Sequence, residues 1–216
     1  MPILHGADLS PFVRKVRFAL AIKQIAHEQI PVIPFAKTDE FLALSPLGKI
    51  PVYQDGDLII PDSSVIIDYL ENTCPDPSIY PKDAAQRAQT LFLEEYADTN
   101  LGSALGTTFF QRFVRKNFFK EEPDEAAIEK SINEELPPCL DYFEAQIGGQ
   151  DYLVGGTLSI ADISVASPFV NFKIGGGSVD SDRWPAMSAY LARIWGLPAL
   201  KPIVDGDLSS AQAVAG

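Results

Sequence analysis

Positive charge is scarce in this chain. Seventeen lysines and arginines stand against 29 aspartates and glutamates, leaving a net charge of -12 over 216 residues and an isoelectric point near 4.5. A nucleic-acid-binding surface carries a basic footprint, and the densest basic run, Arg14-Lys15-Val16-Arg17, is too short to make one. An acidic surface also disfavours anionic lipid. Long hydrophobic runs are missing: no stretch reaches the ~18 apolar residues of a spanning helix. The opening Met1-Pro2-Ile3-Leu4-His5-Gly6 lacks the charged start and long apolar run of a secretory signal. Cysteine and histidine are nearly absent. Cys74 and Cys139 form no CxxC pair, and His5 and His27 are too few for most histidine-based metal sites. Both histidines read as packing residues and both cysteines as reduced thiols. The expectation is a soluble cytoplasmic protein with no bound metal and no nucleic-acid or membrane partner.

The rest of the composition is ordinary for a globular chain, 46% hydrophobic and 21% charged, with enough length to bury a core without disulfides. Texture changes at Cys74-Pro75-Asp76-Pro77-Ser78-Ile79-Tyr80-Pro81-Lys82, where three prolines in nine positions mark a connection. Before it, short apolar runs alternate with helical patterns; after it, the pattern is helical almost throughout. This divides the chain into an α/β domain over 1–75, a linker over 76–82 and an all-α domain over 83–216. The first domain reads as strand 2–5, helix 12–24, strand 29–33, a short helix 38–44 capped by Thr38, strands 50–53 and 58–60, and helix 62–72. Asp55-Gly56-Asp57 between two apolar runs is a hairpin signal. The second reads as a long helix 83–120 kinked near Gly102 or Gly106, a helix 123–147 bent or interrupted at Pro137-Pro138, helices 159–173 and 184–195, and a short last helix opening at Pro198. The small, polar tail 209–216 is expected to fray.

Three short motifs in the first domain carry chemistry. Ser10 precedes Pro11 at the mouth of a helix, where proline suits the first helical position. Ser10 is then a plain N-cap, or a hydroxyl placed where free N–H groups and the helix dipole favour an anion such as a thiolate. Pro51 at the start of a strand needs a place where no donor is missed. It is an ordinary edge-strand proline, or, if cis, one that leaves the Ile50 backbone free to pair with an extended ligand. Asp62-Ser63 opens another helix. As a cap it is unremarkable; as a site it combines an acid for an ammonium with helix N–H groups for a carboxylate, which suits an amino-acid end.

Taken together these segments resemble the cytosolic glutathione transferases, over essentially the whole chain. Ser10-Pro11-Phe12-Val13-Arg14-Lys15-Val16-Arg17 is similar to the active-site helix of serine-type members, the tau-like and bacterial ones. Ile50-Pro51 matches the family's cis-proline position, Asp62-Ser63 its acid-serine pair, and Ser159-Ile160-Ala161-Asp162 its capping box in the second domain. The resemblance implies a thioredoxin-like α/β domain followed by an all-α domain. It implies that Ser10 hydrogen-bonds the glutathione sulfur and that Ile50, next to Pro51, pairs its backbone with the cysteinyl part. Lys49, with Lys37 as an additional contact, would approach the glycyl carboxylate, while Asp62 and Ser63 grip the γ-glutamyl end. Ser159 and Asp162 are expected to hold the fold and not to act in catalysis. Members with cysteine at the position of Ser10 run thiol-disulfide chemistry, which serine cannot, and His5 stands near where tyrosine-type members carry their tyrosine.

The implied reaction is attack of a glutathione thiolate on a small hydrophobic electrophile or hydroperoxide, with glutathione as co-substrate and no cofactor. The electrophile is expected beside Ser10 between the domains, against Phe12, Tyr96, Thr107, Phe110 and Phe113. Two rivals stand beside this reading: a glutathione-binding interaction module without turnover, and a glutathione-dependent isomerase, whose usual Ser-Ser-Cys string is absent here. A homodimer follows from the same resemblance.

Overall fold

The computed structural model describes residues 1–33 and 38–215; Lys37 lies outside the described residues. The chain forms two compact units, Met1–Ser78 and Ile79–Gly216.

In the first unit the order is β1 (Ile3–His5), α1 (Pro11–Ile22), β2 (Glu28–Ile30), α2 (Asp39–Leu44), β3 (Val52–Asp55), β4 (Leu58–Ile60) and α3 (Ser63–Thr73). The sheet order is β2-β1-β3-β4. β1 and β2 run parallel, so the chain between them must cross over, and α1 is that crossover. The other two pairs are antiparallel, with His5 opposite Val52 and Asp55 opposite Leu58. Gly56, at φ +60°, makes the tight turn between β3 and β4. α1 and α3 pack together and bury Val13, Val16, Leu20, Ile66, Ile67 and Leu70. This is the thioredoxin-like arrangement that the resemblance implies.

Two boundaries differ from the sequence reading for a physical reason. β2 is confined to Glu28–Ile30. β3 begins at Val52 rather than Ile50 and runs inside the sheet, not at its edge. Pro51 has no N–H to donate, so it stays outside the ladder. The end of this unit is tied by Lys23, whose buried side-chain nitrogen donates to Glu71 Oε2 at 2.7 Å, to the Cys74 carbonyl at 2.7 Å and to the Pro77 carbonyl at 3.0 Å.

The second unit is helical. α4 (Ala84–Tyr96) and α5 (Gly102–Phe109) belong to one helical run, joined by a widened π-helical stretch at Ala97–Leu101 and prolonged by another at Phe110–Phe119. The irregularity expected near Gly102 is therefore a widened turn. A Cβ on Gly102 would lie 2.9 Å from the Ala97 carbonyl oxygen, so the close approach needs glycine. α6 (Glu125–Lys130) and α7 (Leu136–Ile147) are likewise joined by a π-helical stretch, Ser131–Glu135. That is the interruption at Pro137-Pro138: prolines cannot donate to the preceding turn, and their rings crowd its carbonyls. α8 (Ile160–Ile174) is buried along all of 160–172, with α4, α5 and α9 (Pro185–Trp195) packed around it. The last helix, α10 (Lys201–Ala215), is neither short nor frayed. Val204, Asp207 and Ala211 form a buried stripe at helical spacing, and the Lys201–Asp205 pair supports the first turns.

Candidate active site

Ser10 is the N-cap of α1, in extended conformation at φ -75° and ψ 128°, with Pro11 at the first helical position. Its carbonyl accepts the first helical hydrogen bond, from the Arg14 N–H at 2.9 Å. Its Oγ accepts only a long one, from the Val13 N–H at 3.4 Å. A cap held this loosely leaves the hydroxyl free to turn, and among the described residues its proton meets no acceptor. Ser10 is half-buried and Phe12 beside it is 37% exposed.

The start of α3 is a second helix mouth. Asp62 is the N-cap, and its Oδ1 accepts from the Ser64 and Val65 N–H groups, both at 3.0 Å. The Ile66 N–H goes to the Asp62 carbonyl at 2.9 Å. This accounting leaves two groups over. Among the described residues the Ser63 N–H has no hydrogen-bond acceptor, and Asp62 Oδ2 has no donor. Asp62 is exposed, whereas Ser63 is only 6% exposed. One free N–H and one free carboxylate oxygen sit on adjacent residues, which is the complement of a carboxylate and an ammonium on one carbon.

Between these helix mouths runs Gly48-Lys49-Ile50-Pro51. Gly48 turns the chain at φ +61°, and the Ile50–Pro51 bond is cis, as is Asp76–Pro77. Among the described residues the Ile50 backbone makes no hydrogen bond. Lys49 is exposed, and its backbone is pinned by the fully buried Ser45, whose Oγ donates to the Lys49 carbonyl at 2.7 Å and accepts from the Lys49 N–H at 3.0 Å. Ser45 was not among the sequence candidates; a serine after a short helix gives no signal of such a role.

The proposed electrophile residues of the second unit have different side-chain partners. Tyr96 stacks on Tyr142 at 5.0 Å between ring centres and meets Phe143 edge-on at 5.3 Å. Burial, then its contact with Cys139, pushes the Tyr96 hydroxyl up to about 12, so it keeps its proton at neutral pH. Thr107 donates to the Ser103 carbonyl at 3.2 Å. Phe110 is exposed and tilts against Phe119. Phe113 is 4% exposed, stacks on Phe109, and lines a cavity of about 380 Å³ with Lys173, Ile174, Leu208 and Ala211. The last four come from two helices far along the chain, and no sequence motif ties them to Phe113.

The Ser159–Asp162 pair closes its capping box in a buried setting. Asp162 Oδ2 accepts from the Ser159 N–H and hydroxyl at 2.8 and 2.9 Å, and Oδ1 from the Leu153 N–H and the Tyr190 hydroxyl, both at 2.9 Å. Burial raises the Asp162 carboxyl above its ordinary range against the pull of those four bonds. Nothing is left over for a ligand.

Comparison with known proteins agrees with this architecture. The glutathione S-transferase N-terminal domain family matches residues 4–78, and the C-terminal domain family residues 108–203. A thioredoxin-like unit followed by a helical unit of this kind defines a glutathione-dependent transferase fold. The chain belongs to the glutathione S-transferase family, and by family and fold it is a glutathione S-transferase. It is 31% identical to a glutathione S-transferase of Hyoscyamus muticus over 94% of this chain and 97% of that one. It is 26% identical to the FtsZ-localized protein A of Caulobacter vibrioides over 93% of this chain and 90% of that one. A glutathione S-transferase structure from Rhodospirillum rubrum F11 superposes with a TM-score of 0.86 at 28% identity, covering 94% and 91% of the two chains. Among the described residues no helix is long and apolar enough to cross a membrane, and no acid, cysteine and histidine side chains gather as a metal site.

Proposed function

We propose that this chain conjugates glutathione to a small hydrophobic electrophile, with Ser10 holding the sulfur as a thiolate. The observation that carries the reading is the start of α3, where the Ser63 N–H and Asp62 Oδ2 are left over from an otherwise saturated helix cap. The γ-glutamyl carboxylate takes the first and its ammonium the second. The Ile50 backbone pairs with the cysteinyl part, and Lys49 approaches the glycyl carboxylate, with Lys37 as an additional contact. The sulfur then lies at the mouth of α1, where Ser10 donates the hydrogen bond that its long contact with Val13 leaves available.

A free thiol with a pKa near 8.5 is only a few per cent thiolate at neutral pH. Lowering that value by about two units requires roughly 2.7 kcal/mol of preferential thiolate stabilisation. A hydroxyl donor and a helix N-terminus acting together reach that range. The thiolate attacks the electrophilic carbon and displaces its leaving group, and no covalent enzyme intermediate is needed. The enzyme contributes activation and positioning. It works as a cytoplasmic homodimer with glutathione as co-substrate and no cofactor.

The test is Ser10→Ala. Turnover of chlorodinitrobenzene should fall strongly while glutathione affinity stays within a few-fold; equal turnover in the variant would remove Ser10 from the mechanism. A second reading, a glutathione-binding interaction module, is favoured by the likeness to FtsZ-localized protein A along nearly the whole chain. Glutathione binding without turnover of any electrophile would select it.

A further inference from the structure

The structure puts two of the three basic side chains of the run 14–17 inside. Arg14 and Lys15 are 0% and 1% exposed. Lys15 Nζ donates to Ser64 Oγ at 3.0 Å. Ser64 is the second residue of α3, and its own N–H donates to Asp62 Oδ1 at 3.0 Å. Lys15 stands five residues beyond Ser10 on α1, about 7.5 Å along the helix axis. One buried side chain of the thiolate helix therefore grips the first turn of the helix whose cap receives the γ-glutamyl end.

The alternatives carry less. The cavity beside Phe113 faces the C-terminal ends of both α8 and α10, and their dipoles oppose the anion that Lys173 would attract. The exposed Phe92 meets Tyr96 and Tyr142 edge-on, and nothing in the structure shows what covers it.

We infer that Lys15 is a positioning residue for glutathione, acting through Ser64 to fix the Asp62-Ser63 cap relative to Ser10. This rests on the proposed function above. A tripeptide held at two helix mouths binds well only if their separation is fixed before it arrives, because ordering them on binding costs affinity. A buried hydrogen bond between the two helices supplies that fixity, since an unmade bond to a buried lysine is expensive. Lys15 touches neither sulfur nor electrophile, so its loss weakens glutathione binding and leaves the chemical step alone.

The test is a kinetic cycle on the full chain with glutathione and chlorodinitrobenzene, using Ser64→Ala, Lys15→Met, the double variant, Lys15→Arg and, as a reference, Asp62→Ala. Ser64→Ala should raise the KM for glutathione about fivefold, the worth of one hydrogen bond, with kcat at saturating glutathione unchanged. Lys15→Met should raise KM at least as much, the double variant no further than Lys15→Met, and Lys15→Arg should restore part of the loss. If Lys15→Met does not fold, Ser64→Ala, which keeps the buried lysine, carries the test. An unchanged KM in folded Ser64→Ala, or effects that multiply in the double variant, overturns the inference while Asp62→Ala still raises KM. An Asp62→Ala variant with unchanged KM overturns the glutathione placement itself, and the inference with it.

Discussion

An acid and a serine open α3, and an acid and a serine open α8, yet the two caps are finished differently. At α8, Asp162 is fully buried and its two oxygens receive four donors, from Ser159, Leu153 and Tyr190. At α3, Asp62 is exposed; one oxygen receives two backbone N–H groups, while the other oxygen and the Ser63 N–H remain open among the described residues. The same residue types close every bond at one cap and leave the set incomplete at the other, which under the proposed function is where the γ-glutamyl end binds. A completed buried network makes a rigid joint and has nothing to offer a ligand. An incomplete cap whose carboxylate faces solvent sacrifices little stability, because an exposed polar group is readily hydrated.

This contrast can be broken from either side, and the largest effect should come from the closed cap. Asp162→Ala leaves buried donors without acceptors and should lower the unfolding free energy by about 3–5 kcal/mol, measured by chemical denaturation. A loss under 1 kcal/mol would mean that the four bonds are not jointly made. Next is Ser10→Ala, with turnover reduced about tenfold to a hundredfold, the change in thiolate fraction for a shift of one to two pKa units. Asp62→Ala should separate function from fold. Glutathione affinity should drop about tenfold, one charge-assisted bond, while stability falls by only ~1 kcal/mol, the value of a cap. If calorimetry found the reverse, strong destabilisation with binding intact, the two caps would be equivalent and the contrast empty. Tyr190→Phe removes one of Asp162's four donors and should cost about 1 kcal/mol.

The smallest effect is in pH. Burial raises the Asp162 carboxyl, so the folded state holds that proton more tightly than the unfolded chain does. Its contribution to stability is complete below the ordinary value of 3.8 and is lost as pH rises through the folded value. Set against Asp162→Asn, which has no such proton, wild-type stability should decline over that window. A wild-type advantage that grew with pH would show that the four hydrogen bonds outweigh burial.

Much of this was legible in the sequence because it depends on local chemistry. Ser10-Pro11, Asp62-Ser63 and Asp55-Gly56 mark helix starts and a turn through backbone rules that need no partner, and the strands and helices fell near their expected places. What was illegible depends on what lies opposite. Lys15 lies off the apolar stripe of α1 formed by Val13, Val16 and Leu20, and its burial depends on what another helix places opposite it, Ser64 included. Ser45 holds Lys49 through a turn whose shape no residue type announces. The full length of α10 is hidden in the sequence because small polar residues at 209–213 mask a stripe that Val204, Asp207 and Ala211 complete only when packed. The aromatics of the long helix share a spacing, but Tyr96 joins Tyr142 and Phe143 while Phe113 joins Phe109, which spacing along one helix cannot resolve.

The most direct measurement is the ultraviolet absorbance of the thiolate of bound glutathione, titrated against pH in wild type and in Ser10→Ala. The account predicts a wild-type midpoint well below the free-thiol value of about 8.5, returning toward it in the variant while glutathione still binds. A bound thiol that titrates near 8.5 in wild type, or a lowered midpoint that survives the loss of Ser10, would contradict it.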